Sequence, residues 1–100
     1  MHNNIFKETR RATAARLADL VPGILPQGRR MGGEWVALNP TRSDRTLGSF
    51  RINLSSGAWA DFATGDTGGD LVSLASYLYG MSPIDAAQYV RRIAGVANDR

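Results

Sequence analysis

The segment from Trp59 to Leu78, WADFATGDTGGDLVSLASYL, constrains the fold more than any other part of the chain. It begins with a short alternation typical of a strand and ends in a helical repeat of leucines. Glycines between these two patterns permit backbone angles that are closed to other residues. Asp70 directly precedes the leucines, where its carboxylate can accept the free N–H groups of a first helical turn. The segment therefore predicts a strand, a glycine-rich turn and a capped helix.

The part of the chain before this turn predicts three short antiparallel strands. They lie at residues 34–38, 49–54 and 58–62. Phe50, Ile52 and Leu54 alternate with polar residues, which predicts a half-buried middle strand. Residues 55–57 are predicted to form a hairpin connection. The glycine-rich residues 28–33 are interpreted as a turn.

Helices are predicted before and after these strands along the chain. Apolar residues recur at helical spacing over residues 4–21, and Pro22 is expected to end that helix. Its basic face consists of Lys7, Arg10, Arg11 and Arg16. Gly80 is expected to end the helix after the glycine-rich turn, and Ser82 with Pro83 to start the last helix. The pattern predicts one α+β domain of 100 residues, with an N-terminal helix within 1–22, a three-stranded sheet within 33–64 and a helical pair within 70–96.

The residue types present exclude several kinds of chemistry. The chain has no cysteine and one histidine, so disulfides, thiolate metal sites and cysteine nucleophiles are excluded. No serine, histidine and acid are spaced as a catalytic set, which predicts a protein that is not an enzyme. The longest apolar stretch is too short for a membrane span, and the first residues lack the apolar centre of a signal peptide. A cytoplasmic location without membrane contact is the expectation.

The charges are distributed unevenly along the chain. Residues 1–58 hold nine basic and four acidic residues, whereas residues 59–90 hold four aspartates and no basic residue. Eleven of the twelve basic residues are arginines, whose planar guanidinium suits phosphate groups and stacking on bases. This bias favours a polyanionic partner. A genome rich in G and C also replaces lysine by arginine, and that explanation stays open.

A run of features between residue 33 and about residue 94 follows one order. The matching motifs are Ser49-Phe50, Gly57-Ala58-Trp59, Gly68-Gly69-Asp70 and Ser82-Pro83-Ile84-Asp85-Ala86-Ala87. In that order they resemble the zinc-binding domain of bacterial and phage DNA primases. The resemblance implies a small zinc-ribbon-like sheet followed by helices, and a role in DNA replication. Residues 1–32 lie outside it.

The resemblance ends at the metal ligands. Leu38, Thr41, Asp61 and Thr64 occupy the four ligand positions, and they cannot form a tetrahedral site of nitrogen and sulfur. The resemblance therefore implies a variant without zinc and without any other cofactor. Apolar packing is expected to replace the ion, with hydrogen bonds of Thr41, Asp61 and Thr64 as a smaller contribution. The expected packing residues are Leu38, Phe50, Trp59, Phe62, Leu71, Leu74 and Leu78.

The strongest candidate site is a basic surface with aromatic residues around the sheet. Its predicted nucleic-acid-binding residues are Arg29, Arg30, Trp35, Arg42, Arg45, Arg51 and Trp59. Cations beside aromatic rings bind single strands, since phosphates meet the cations and bases stack on the rings. A merely solvated basic surface, and tryptophans that belong to the core, remain alternatives. A cation site of Asp61, Asp66 and Asp70, or a phosphate cradle at GDTGGD, is disfavoured by spacing and by charge.

These observations predict a module that binds single-stranded or template DNA, beside a helicase or polymerase, in the replication of a phage, plasmid or other mobile element. A different class of function stays open, namely a small inhibitor or adaptor of another protein built on the same scaffold. A third possibility is a fragment of a larger primase-helicase.

Overall fold

The computed structural model describes residues 4–96. The helices in this range are α1 (Ile5–Thr13), α2 (Leu17–Ile24), α3 (Leu71–Tyr79) and α4 (Pro83–Ile93). The strands are β1 (Gly28–Met31), β2 (Glu34–Ala37), β3 (Phe50–Asn53), β4 (Trp59–Asp61) and β5 (Asp66–Gly68). The α+β class is as predicted. His2 and the other residues of 1–3, which begin the predicted 1–22 segment, lie outside the described residues.

The sheet has five strands in the order β1-β2-β3-β4-β5, and every neighbouring pair is antiparallel. The prediction of three strands was wrong, because both glycine-rich segments interpreted as turns contain a strand. β1 is joined to β2 by two glycines, of which Gly32 has a φ of +62° that suits a tight hairpin. β5 has only three residues, too few for an alternating pattern. Both added strands lie at the edges of the sheet.

The N-terminal helix is divided into two by a 3₁₀ turn, Ala14–Arg16, where a continuous helix was predicted. Two buried threonines precede the division. The hydroxyl of Thr9 donates to the carbonyl of Ile5, and that of Thr13 donates to the carbonyl of Thr9. Such back-bonding tends to bend helices. Helix α2 then continues past Pro22 to Ile24, so the predicted end at Pro22 was also wrong.

The helices cover one face of the sheet. Phe50, Ile52 and Trp59 point into the core on that face and pack with apolar residues of the helices. The helical part of the core includes Leu17, Leu20, Val21, Leu71, Leu74, Ala87 and Val90. Phe62 was expected there, but its side chain is 72% exposed. Trp59 and Asp61 point inward, so strand alternation directs Phe62 outward with Ala60.

The predicted helix caps are confirmed. The carboxylate of Asp70 accepts the N–H of Ser73, and the Ser73 hydroxyl accepts the backbone N–H of Asp70, forming a capping box. Gly80 ends α3 in the left-handed conformation, and Ser82 caps α4 ahead of Pro83. Within residues 4–96, no helix is both long enough and apolar enough to cross a membrane.

Candidate nucleic-acid interface

The register of the strands divides the predicted site residues between the two faces of the sheet. Arg29, Val36 and Arg51 are neighbours on β1, β2 and β3, in a row that continues to Ala60 and Thr67. This row lies on the face that the described helices leave uncovered, here called the open face. Val36 is fully buried but is not part of the helical core, which places it beneath its long neighbours on the open face.

Arg51 is held in place on the open face by two contacts. Its Nη1 donates to Oε1 of Glu34 at 3.0 Å, and its Nε donates to the carbonyl of Gly48 at 2.8 Å. About a third of the side chain remains exposed. The guanidinium of Arg51 is therefore preorganised, and part of its donor edge stays free to contact a ligand. Glu34 offsets part of its charge.

Phe62 is the functional candidate that the sequence prediction missed. It follows β4 directly and, with Arg51, Ala60 and Thr67, lines a shallow groove of about 250 Å³ on the open face. An exposed ring beside a guanidinium is the combination that single-stranded nucleic acids use for base stacking and phosphate contact. The signal was present in the alternation of residues 59–62, which cannot bury Trp59 and Phe62 on the same face.

Both tryptophans turn away from the open face. Trp59 is only 4% exposed, and its indole Nε1 donates to the hydroxyl of Ser73 at 2.9 Å. Its ring lies 4.6 Å from the ring of Tyr77, measured between centroids. Trp35 is half-buried, and its Nε1 donates to the carbonyl of Leu25 at 2.8 Å. These rings hold helices to the sheet, and Trp59 has no face left for a base.

The remaining predicted arginines lie in three different environments. Arg29 and Arg30 are both exposed on the edge strand β1, but adjacent strand residues point to opposite faces. The Nε of Arg30 donates to the carbonyl of Gly32. Arg45 is exposed in the loop between β2 and β3. Arg42, in the same loop, points into the molecule and contacts Asp61.

Asp61 is the centre of a polar network at the end of β4. Its carboxylate is fully buried and accepts hydrogen bonds from Nε of Arg42 at 2.9 Å and Nη2 of Arg42 at 3.2 Å. It also accepts from Nδ2 of Asn39 at 2.8 Å and from the backbone N–H of Ala63 at 2.9 Å. The same Asn39 amide donates to the hydroxyl of Tyr77 at 2.9 Å. We call Asn39, Arg42, Asp61 and Tyr77 the Asp61 network.

The network determines the ionisation of its two charged members. Burial raises the pKa of Asp61, but the hydrogen bonds from Arg42 and Asn39 outweigh burial and place that pKa well below its usual range. The hydrogen bond to Asp61 raises the pKa of Arg42. Both groups are therefore charged at neutral pH. Because Arg42 also lies 2.9 Å from the Ser49 hydroxyl and 3.4 Å from Asp44, its guanidinium is largely occupied within the protein.

The side chains at the four ligand positions that the sequence resemblance implies do not form a donor set for zinc. Leu38 offers no donor atom, and the carboxylate of Asp61 is already occupied by the network. The hydroxyl of Thr41 donates to Oδ1 of Asn39 at 2.7 Å, and that of Thr64 lies 3.5 Å from the carbonyl of Asp61. Within the described range, histidine, cysteine, aspartate and glutamate form no group of three that could hold a metal ion.

The comparison with solved structures identifies the architecture. The chain is similar to the crystal structure of the Aquifex aeolicus primase, zinc binding and RNA polymerase domains, with a TM-score of 0.76 and 24% sequence identity. The chain has a primase-like fold. The match covers 99% of this chain and 23% of the Aquifex chain. No family model and no curated protein matches the chain by sequence.

Proposed function

We propose that this primase-like domain is a binding module for single-stranded or template DNA, without catalytic activity of its own. The open face is its binding surface, with Arg29 and Arg51 meeting phosphates and Phe62 stacking on a base. The observation that carries the proposal is the juxtaposition of Arg51 and the exposed Phe62 in one groove. The module acts beside a separate polymerase or helicase in the replication of a mobile element.

The original candidate set is narrowed by this proposal. Arg29 and Arg51 remain, Phe62 is added, and Arg30 and Arg45 contribute charge from the margins. Arg42, Trp35 and Trp59 are left out, since their polar atoms already bond within the protein. The narrower set is supported by the strand register, which places Arg29 and Arg51 in one row.

Removal of the Phe62 ring tests the open face directly. Phe62→Ala is expected to weaken binding of an oligothymidylate by about 1 to 3 kcal/mol, because one stacked base is lost. The thermal midpoint is expected to stay the same, since the ring is 72% exposed. Fluorescence anisotropy with a labelled oligonucleotide measures the change. Ile84→Ala is the matched control, because Ile84 is an exposed apolar residue on α4 and lies outside the groove.

The same titration separates DNA binding from the rival function. The salt dependence is the slope of the logarithm of the binding constant against the logarithm of the salt concentration. Arg29→Gln and Arg51→Gln are each expected to reduce the size of this slope by about 0.7, the value for one phosphate contact on a single strand. Failure of the unaltered protein to bind any single-stranded or duplex DNA at low salt would contradict the proposal. Recovery of one specific protein partner by such a non-binding chain would favour the inhibitor or adaptor.

We also propose that the domain folds without zinc, with the Asp61 network and the aromatic core in place of the ion. The unfolding midpoint is expected to be the same with EDTA and with added zinc, and elemental analysis of purified protein is expected to find substoichiometric metal. The reason is that Arg42 already neutralises the one carboxylate at the ligand positions. Stoichiometric zinc whose removal lowers the midpoint would contradict this proposal.

A further inference from the structure

We infer that helix α1 carries a second phosphate-binding surface, formed by Lys7, Arg10 and Arg11 with the turn between β3 and β4. This inference rests on the proposed function and extends it, because the strand bound at the open face would continue onto α1. Its three cations precede residue 33, where the sequence resemblance to primases begins.

The three cations line one cavity. Their spacing of three and four residues places them on one side of α1. They border a depression of about 360 Å³ together with Ser56 of the β3–β4 turn and Asp70. Other sides of the helix are already used, since Thr9 is buried and Glu8 lies 4.0 Å from Arg91 of α4.

The charge of this surface is only weakly offset by acidic groups. Among residues 4–96, no carboxylate pairs with the side chain of Lys7 or of Arg11. Nη1 of Arg10 lies 3.5 Å from Oδ2 of Asp70, an ion pair in which 57% of the Arg10 side chain stays exposed. The Asp70 side chain is 17% exposed and accepts the Ser73 N–H at the start of α3. Its charge therefore faces the positive end of a helix dipole, which leaves a net positive cavity.

The β3–β4 turn connects this cavity with the open face. Ser56, in the middle of the turn, borders the α1 cavity, whereas Asn53 and Ala58, on either side of the turn, border the groove that contains Phe62. A single strand has a flexible backbone that can follow such a curved path, and cations along a groove track its phosphates. Exposed lysine and arginine side chains on one side of a helix can contact several successive phosphates of a strand. A single buried site could hold only one phosphate.

The experiment compares two lengths of oligothymidylate, one of about 5 and one of about 16 nucleotides, within the range of site sizes known for single-strand modules. The test variant is Lys7→Gln with Arg11→Gln, which keeps long side chains and helix propensity. With the longer oligonucleotide, the salt dependence is expected to fall by about 1.4, the value for two lost phosphate contacts. With the shorter one, which the open face alone can hold, no change is expected.

Two controls keep the result interpretable. Arg92→Gln removes an exposed arginine of α4 that does not border the cavity, and it is expected to leave both titrations unchanged. Phe62→Ala is expected to weaken binding at both lengths. An unchanged salt dependence of the Lys7, Arg11 variant with the longer strand, while the unaltered protein binds it, would overturn the inference alone. An equal reduction at both lengths would also overturn it, because α1 would then belong to the primary site. Failure of the unaltered protein to bind either length would instead overturn the proposed function.

Discussion

Replacement of Arg42 by alanine is expected to lower the free energy of unfolding by about 3 kcal/mol, at the lower end of the range for losing one partner of a buried ion pair. The lower end applies because 29% of the Arg42 side chain is exposed, although Asp61 is fully buried. In a domain of this size, such a loss lowers the thermal midpoint by roughly 15 °C. Urea denaturation followed by circular dichroism measures the change. Arg45→Ala, in the same loop but exposed, is the matched control and is expected to have little effect.

The pH dependence distinguishes this explanation from a loss of packing. The pKa of Asp61 is lowered in the folded protein, so its contribution to stability is present above the unfolded pKa of about 4 and is lost as the pH falls below it. The difference in stability between the unaltered protein and Arg42→Ala is therefore expected to narrow on acidification once Asp61 becomes protonated in the folded variant, because Arg42 keeps that carboxylate ionised to lower pH in the unaltered protein. Adding Asp61→Asn to Arg42→Ala is expected to recover part of the loss at neutral pH, because no buried charge is left unpaired. If the difference in the free energy of unfolding stayed constant with pH, the lost ion pair would not be the cause of that difference.

Gly68→Ala is expected to have the other large effect, a loss of about 3 kcal/mol from overpacking. A Cβ at this position would lie 2.5 Å from Nε1 and 2.6 Å from Cε2 of Trp59, and it would also overlap the hydroxyl of Ser73. The Trp59 ring would have to leave its place between β5 and α3. Its hydrogen bond to Ser73 would be lost with it. Chemical denaturation measures the loss, and the near-ultraviolet circular dichroism of the tryptophan reports the ring movement.

Gly69→Ala is the matched control for this substitution. Gly69 is the next residue in the same turn, and a Cβ there would meet no atom within 4 Å. Its φ does not lie in the left-handed region that favours glycine, so alanine is expected to be tolerated. If both variants lost the same stability, the flexibility of the turn and not the contact with Trp59 would be the reason for the glycines.

The contacts behind these two predictions explain how the glycine-rich turn is held in a chain without cysteine. Trp59 lies over Gly68 and bonds to Ser73, which attaches the turn to α3. Asp61, two residues later in β4, attaches the same strand to the loop that contains Arg42. Packing and polar bonding thus contribute at adjacent positions. The expectation that polar bonds are the smaller contribution did not foresee an ion pair to the fully buried Asp61 carboxylate.

Local patterns were sufficient for both ends of α3, the start of α4 and the central strands, but not for the divided N-terminal helix. The caps at Asp70 and Ser82 and the end at Gly80 follow from short-range rules about free N–H groups and left-handed glycine, and the structure agrees. The alternation of residues 49–54 predicted β3, because one of its faces is buried and the other is not. The α+β class followed from the order of these elements. Edge strands such as β1 were not predicted, because pairing with a neighbouring strand stabilises residues that have no alternating pattern of their own.

The placement of individual side chains depended on contacts between distant parts of the chain. Composition indicated an arginine-rich surface, but only the register of the strands places Arg29 with Arg51 on the open face. Only the folded loop turns Arg42 inward to Asp61, nineteen residues away. The physical reason is that composition gives only the number of charges in a chain. Whether each charge is available to a ligand depends on the partner that folding brings to it.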